Sequence, residues 1–371
     1  MIRVLSILLL LLSSFDIGSW AVKHSLIVGT FSTEFLYTLE YDDEQKTLAL
    51  VAQNAIPAAS SWITLNHDKT KLYGTDWNAE EPTFVSYDVS DSHNIKLEAT
   101  IVGGNGCSGS KSIFVNAYQT PPYTVYGNYY YGDARCGTVI SVHENGTLKE
   151  VIQDYVYDAG SAVHGTAITP DGNFIISADT IGNLIWTQEI DHTTGMLILA
   201  NVIHGPLEGS GPRHVAIHKN GKYLYVVLEE ASGVAQYYIK SDQTLHLINI
   251  YALLHEGQNP ADFWADEVSL SPTNKYLWAT NRARNESQRG YISAFELSSS
   301  GEIANQLFLL ETVTSGGFAN SIAASPFDDS IAALTDNSTG FVEIWDITEG
   351  PIAHLDIPDG QGCCANAVWL D

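Results

Sequence analysis

The chain has 371 residues, of which 45% are hydrophobic and 16% charged, and its formal net charge is -26. So acidic a surface repels nucleic acid and anionic membranes, which excludes nucleic-acid binding by bulk charge, and any anionic ligand needs a local basic pocket. The apolar content can fill a sizeable core, and large all-β folds reach this length as one domain.

In chain order, the first predicted element is a signal peptide over residues 1–21. Arg3 supplies the positive end, Val4 to Leu12 the apolar run, and Ser19 and Ala21 the small residues before a cleavage site. The run is shorter than the about 20 residues a membrane helix needs, and no later stretch is longer. Residues 22–371 are therefore expected to form one soluble, secreted domain with no membrane contact. Three sequons, at Asn145, Asn285 and Asn337, fit that compartment. So do Cys107, Cys136, Cys363 and Cys364, which would be oxidised there. Four cysteines allow three pairings that sequence does not decide. Cys107 with Cys136 is preferred, because adjacent Cys363 and Cys364 could bridge each other only with local strain. There is no CxxC and no zinc-ligand spacing, so a structural metal is not expected.

Beyond Val22 a phrase repeats: a short strand, a polar turn, then a strand rich in Tyr, Leu and Ile. It runs from Trp62 to Tyr73, from a degenerate start near Ile113, from His164 through Pro170-Asp-Gly-Asn173, and from His214 through Asn220-Gly221. It returns at Glu267 with Ser271-Pro-Thr-Asn274, at Ser321 with Asp328-Asp329, and at Asn366, where it is cut short. Seven starts about 50 residues apart match four-stranded propeller blades. The truncated last copy lacks three strands, and Ser25 to Phe31, Phe35 to Tyr41 and Leu48 to Gln53 can supply them. The fold predicted is an all-β, seven-bladed β-propeller whose ring closes by pairing N-terminal strands with the C-terminal strand. Leu184 to Ile190 and Gly233 to Ile239 are among the further strands predicted.

In such a meander the start of each inner strand and the end of the next lie on one rim of the central channel. The starts give Trp62, His164, Arg213, His214, Asp266, Glu267, Asn320 and Asn366. The ends give Asp76, Asp179, Glu229, Glu230, Asn281, Arg282 and Asp336. Two arginines at one mouth suit a carboxylate or phosphate, and a histidine beside them suits proton transfer. Channel residues also pair among themselves merely to satisfy buried charge. The convergence of His164, Arg213, Glu229 and Arg282 favours a site. Asp266, Asn281 and Asn320 are expected to contact the ligand, a small anion; the oligomeric state is left open. Gly104 to Gly109 matches GxGxxG by letter, but a strand follows it where a dinucleotide fold needs a helix. His192, His218 and His255 read as solvated, and Tyr126 to Tyr131 as sheet packing.

The same residues carry a resemblance. Val163-His164-Gly165, Gly205 to Glu229 with Gly-Pro-Arg213, Asn281-Arg282 leading to Gly290-Tyr-Ile, and Gln306 to Asn320 resemble the fungal carboxy-cis,cis-muconate cyclases. These belong to the seven-bladed lactonase propellers, with bacterial 6-phosphogluconolactonases as more distant members. The resemblance spans about His24 to Asp371. It implies a cofactor-free cyclisation of 3-carboxy-cis,cis-muconate to a lactone, with His164, Arg213, Glu229 and Arg282 in the active site and His164 favoured as the proton donor. Two positions depart from the family pattern: Phe318 stands in place of a His, and Trp264 in place of an Arg. Hydrolysis of a lactone, and binding of an anion or a partner protein without catalysis, are the alternatives.

Overall fold

Short runs of Tyr, Val, Leu and Ile closed by Gly, Asn, Asp or Pro turns make strands that cannot cover both faces alone and must stack. The computed structural model describes residues 22–103, 107, 109–358 and 362–371. In it these runs form seven four-stranded antiparallel sheets arranged in a ring. The inner strands of blades 1 to 7 are Ile63–Leu65, Lys111–Ala117, Val163–Ile168, Pro212–Ile217, Phe263–Leu270, Ile322–Ala324 and Cys363–Trp369. In blade 7 the inner strand pairs with Lys23–Thr30, Leu26 opposite Trp369, and Phe35–Asp42 and Thr47–Ala55 complete the sheet. The ring thus closes as the sequence predicts. Leu184–Ile190 and Gly233–Ile239 are the third strands of blades 3 and 4. One 3-10 turn, Pro260–Asp262, is the only helical element among the described residues.

The core lies between the blades. Seven apolar clusters sit one at each interface, such as Tyr225, Val227, Ala265 and Phe295 between blades 4 and 5. Second strands are covered on both faces, and Tyr223–Leu228 is buried throughout. Fourth strands such as Leu197–His204 lie largely open on the periphery. Both cysteine pairs are bridged, Cys107 to Cys136 as preferred and Cys363 to its neighbour Cys364. The predicted signal segment lies outside the described residues, as do 104–106 and 108 of the GxGxxG stretch. No helix among the described residues is long and apolar enough to cross a membrane.

Candidate active site

The chemistry gathers where three inner strands break register in the same way. In blade 3 the ladder pairs Val163 with Asp179 and then Thr166 with Ser177, so His164 and Gly165 oppose one residue. In blade 4 Arg213 and His214 oppose one residue in the same way, and in blade 5 Asp266 and Glu267 do. A bulge suspends the in-out alternation and re-aims side chains. Three consecutive blades therefore each bring two adjacent positions toward the channel instead of one.

Arg213 and Asp266, the first bulge positions of blades 4 and 5, build a charged floor with Glu229 and Arg282. Arg213 Nε lies 2.7 Å from Glu229 Oε2, and Arg213 Nη1 donates to the Asp266 carbonyl at 2.6 Å and also meets the Asp266 carboxylate. Arg282, on the second strand of blade 5, donates to Glu229 Oε2 at 3.1 Å and stands 3.7 Å from Asp266 Oδ1. A further bond runs from Arg282 Nη1 to the Phe318 carbonyl. Burial opposes the charge on Arg213, but Asp266 and Glu229 outweigh it and hold its pKa above the ordinary value. At Arg282 burial prevails and the pKa falls, although a guanidinium stays charged at any physiological pH. The two arginines offer donors to a carboxylate at the bottom of a cavity.

Behind that floor His214 and Glu267, the second bulge positions of blades 4 and 5, form a chain of titratable groups with His164, the first bulge position of blade 3. His164 Nδ1 is 2.7 Å from His214 Nε2, and His214 Nδ1 is 2.6 Å from Glu267 Oε2. All three side chains are buried. Burial, then the nearby arginines, push His214 and His164 well below the usual histidine range. Burial, then Asp266, push Glu267 well above the usual carboxylate range. The neutral chain therefore carries its dissociable proton on Glu267, with His164 Nε2 left for a ligand. Proximity depends on Gly165: a Cβ there would sit 2.3 Å from the His214 ring.

Above the floor opens a cavity of about 810 Å³, with His164, Arg213, Glu229 and Arg282 all in its wall. The four residues read from sequence are thus brought together. Asp266 lies just beneath, on a small internal cavity shared with His164 and Arg213. Asn281 and Asn320 do not reach the cavity. Both are fully buried: Asn281 Nδ2 donates to the Leu253 carbonyl, while Asn320 Nδ2 donates to the Asn281 carbonyl and its backbone N–H to Asp266. They brace the wall: the pleat of Tyr276–Ala283 sets Asn281 on the face opposite Arg282, and Asn320, just ahead of strand Ile322–Ala324, is held by the bonds just named.

Three other expectations change. Tyr126 and Tyr129 pack in the sheet, but Tyr130 and Tyr131 line the cavity. His218 is buried, where it accepts the Asn220 N–H, whereas His192 and His255 are exposed. Asn145 and Asn285 are open to solvent, but Asn337 belongs to the cavity wall and donates from its amide to the Cys363 carbonyl. His214 and Glu267, absent from the predicted site, are its least expected members. Their places at inner-strand starts were the available signal.

Residues 25–348 match the family described as lactonase, 7-bladed beta-propeller. The chain is 32% identical to a carboxy-cis,cis-muconate cyclase of Neurospora crassa, over 94% of this chain and 99% of that one. It is 27% identical to muconate cycloisomerase 1 of Cutaneotrichosporon cutaneum, over 87% of this chain and 90% of the other. The fold superposes on the periplasmic gluconolactonase of Pseudomonas aeruginosa with a TM-score of 0.78 at 16% identity, covering 94% and 99% of the two chains.

Proposed function

The chain belongs to the seven-bladed β-propeller lactonase family, and from that premise we propose that it is a cofactor-free cycloisomerase, an intramolecular lyase with 3-carboxy-cis,cis-muconate as reference substrate. The observation that carries the reading is the convergence of Arg213, Arg282 and Glu229 beside the free nitrogen of His164. Arg213 and Arg282 hold a substrate carboxylate. A lone pair on a carboxylate oxygen forms the new C–O bond to the conjugated diene, and the displaced π electrons move toward the carbon next to the far carboxyl group. Negative charge grows there, where positioned donors act best. The carbon then takes a proton from His164 Nε2. His214 Nε2 resupplies His164 Nδ1, and Glu267 resupplies His214 Nδ1, so the buried carboxyl is the effective acid. Glu267 ends as a carboxylate, and the chain resets when His164 Nε2 takes a proton from the water-filled cavity and the relay runs back to Glu267, one proton per lactone formed. A raised carboxyl pKa suits this role better than an imidazolium, which burial disfavours here.

In the same reading residues 1–21 are a signal peptide, 22–371 the mature enzyme, and the product a secreted glycoprotein. The two disulfides support that compartment.

Loss of diene absorbance tests the reaction, with 3-carboxy- and unsubstituted cis,cis-muconate offered to protein from a secreting host. Turnover is expected, and Arg213→Ala should lower kcat/KM by about 10²–10³-fold, the effect of removing one transition-state donor. A folded protein that turns over neither compound overturns the reading and makes lactone hydrolysis the next reaction to assay.

A further inference from the structure

The cavity above the floor is larger and more aromatic than ring closure of a six-carbon chain requires. It holds about 810 Å³, whereas an apolar cavity of about 150 Å³ already takes a benzene ring. One side of its wall is a continuous arc of rings in edge or tilted contact. Phe318 meets Phe31 at 6.3 Å, Phe31 meets Trp77 at 5.8 Å, Trp77 meets Tyr131 at 5.7 Å, and Tyr131 meets Tyr130 at 4.9 Å. Tyr130 in turn lies 5.6 Å from His164, so the arc descends from the mouth to the reacting end. Two of its members are open to water, Phe318 at 72% and Tyr131 at 54% exposure. Contiguous apolar exposure inside a concavity marks a surface that a ligand covers.

The charges point the same way. Arg213 and Arg282 already face Glu229 and Asp266, and Arg284 on the rim is paired with Glu230. Glu286 adds another carboxylate to the wall. Three arginines thus meet four carboxylates, and among the described lining residues no cation is left over. One or two ligand carboxylates can share the floor arginines. A third would lie among carboxylates without a partner, which is costly where water is excluded.

We infer that the ligand is a mono- or dicarboxylate bearing an aryl or similarly flat apolar body, its carboxylate on Arg213 and Arg282 and its ring along the arc from Tyr130 to Phe318. This rests on the same arginine floor as the proposed cyclisation and narrows its substrate: a flat apolar group takes the place of the third carboxylate that the reference compound, 3-carboxy-cis,cis-muconate, carries.

Two saturated compounds that cannot cyclise separate the matters. Calorimetric titration would compare 3-phenyladipate with butane-1,2,4-tricarboxylate, which carries a third carboxylate in place of the ring. The phenyl compound should bind at least about tenfold more tightly. Phe318→Ala and Tyr131→Ala, both at open positions, should each weaken it several-fold and leave the tricarboxylate unchanged. Arg213→Ala should weaken both ligands. Equal or tighter tricarboxylate binding, a preference untouched by both aromatic variants, or no binding of either compound overturns the inference. Turnover is not read, so a failed cyclase assay leaves this result standing. Conversely, tight phenyladipate binding that survives Arg213→Ala while the aromatic variants weaken it overturns the arginine anchor and keeps the aromatic subsite.

Discussion

Glu267 holds a proton at a pH where an exposed glutamate has lost it, because burial and Asp266 both disfavour its charge. The consequence for rate has a definite sign. The proton is in place below the raised pKa and is lost as pH climbs through it, so kcat should fall on the alkaline side. Glu267→Gln keeps an N–H to face His214 but cannot release it. It should lower kcat by about 10²–10⁴-fold, barely move KM, and abolish the alkaline limb of the pH–rate profile. Steady-state rates across pH check this; a variant with reduced rate but an unchanged limb would mean that Glu267 only supports packing. Sequence made His164 legible, along with Arg213, Glu229 and Arg282, because rim position and residue type suffice for those. The protonation of His164 was not legible from residue type, because burial holds the ring well below the usual histidine range. Nor could the roles of His214 and Glu267 be read, since they rest on contacts of 2.7 and 2.6 Å between separate blades that no local pattern encodes.

The inner strand is the unit that turns this chemistry inward. Its seven starts were legible because each blade repeats one strand-turn-strand phrase, and the third strands of blades 3 and 4 begin and end where alternation predicts. The bulges were not legible, because strict alternation sends only one of two neighbouring residues to the channel. The tyrosine run failed for a related reason: Tyr131 has a φ of 59°, which ends the strand and swings its ring into the cavity. Gly165 is where the strand and the chemistry meet. Gly165→Ala should push the inner strand of blade 4 away, cost about 1–3 kcal/mol as an overpacked core site does, and lower kcat more than KM by parting His214 from His164. Urea denaturation and steady-state kinetics on one preparation check both effects.

For the whole molecule the dominant fact is a net charge of -26. An anionic substrate approaches against that field and feels the floor arginines only at short range. Screening shortens the reach of the repulsion, to about 8 Å at physiological ionic strength. Raising salt from low to physiological values should therefore increase kcat/KM for a dianionic substrate and leave kcat unchanged. A decrease would mean that the rim arginines, not the bulk charge, set the long-range field. Composition made this legible at the outset. The balance of three arginines against four carboxylates around the cavity was not, because it depends on which carboxylates fold beside which arginines.

The seam in blade 7 also imposes a timetable. Lys23–Thr30 is made early, yet its inner partner, Cys363–Trp369, is made only after the other six blades. At ribosomal speeds of about 5–20 residues per second, the nascent chain carries that open strand for tens of seconds. Throughout that interval the strand is a template for any passing chain. The wall that Phe31 and Gly362 contribute to the cavity on either side of the seam cannot exist until the last blade is stitched. A half-made chain is therefore both inactive and sticky, and the cell must shelter it until the ring is sealed.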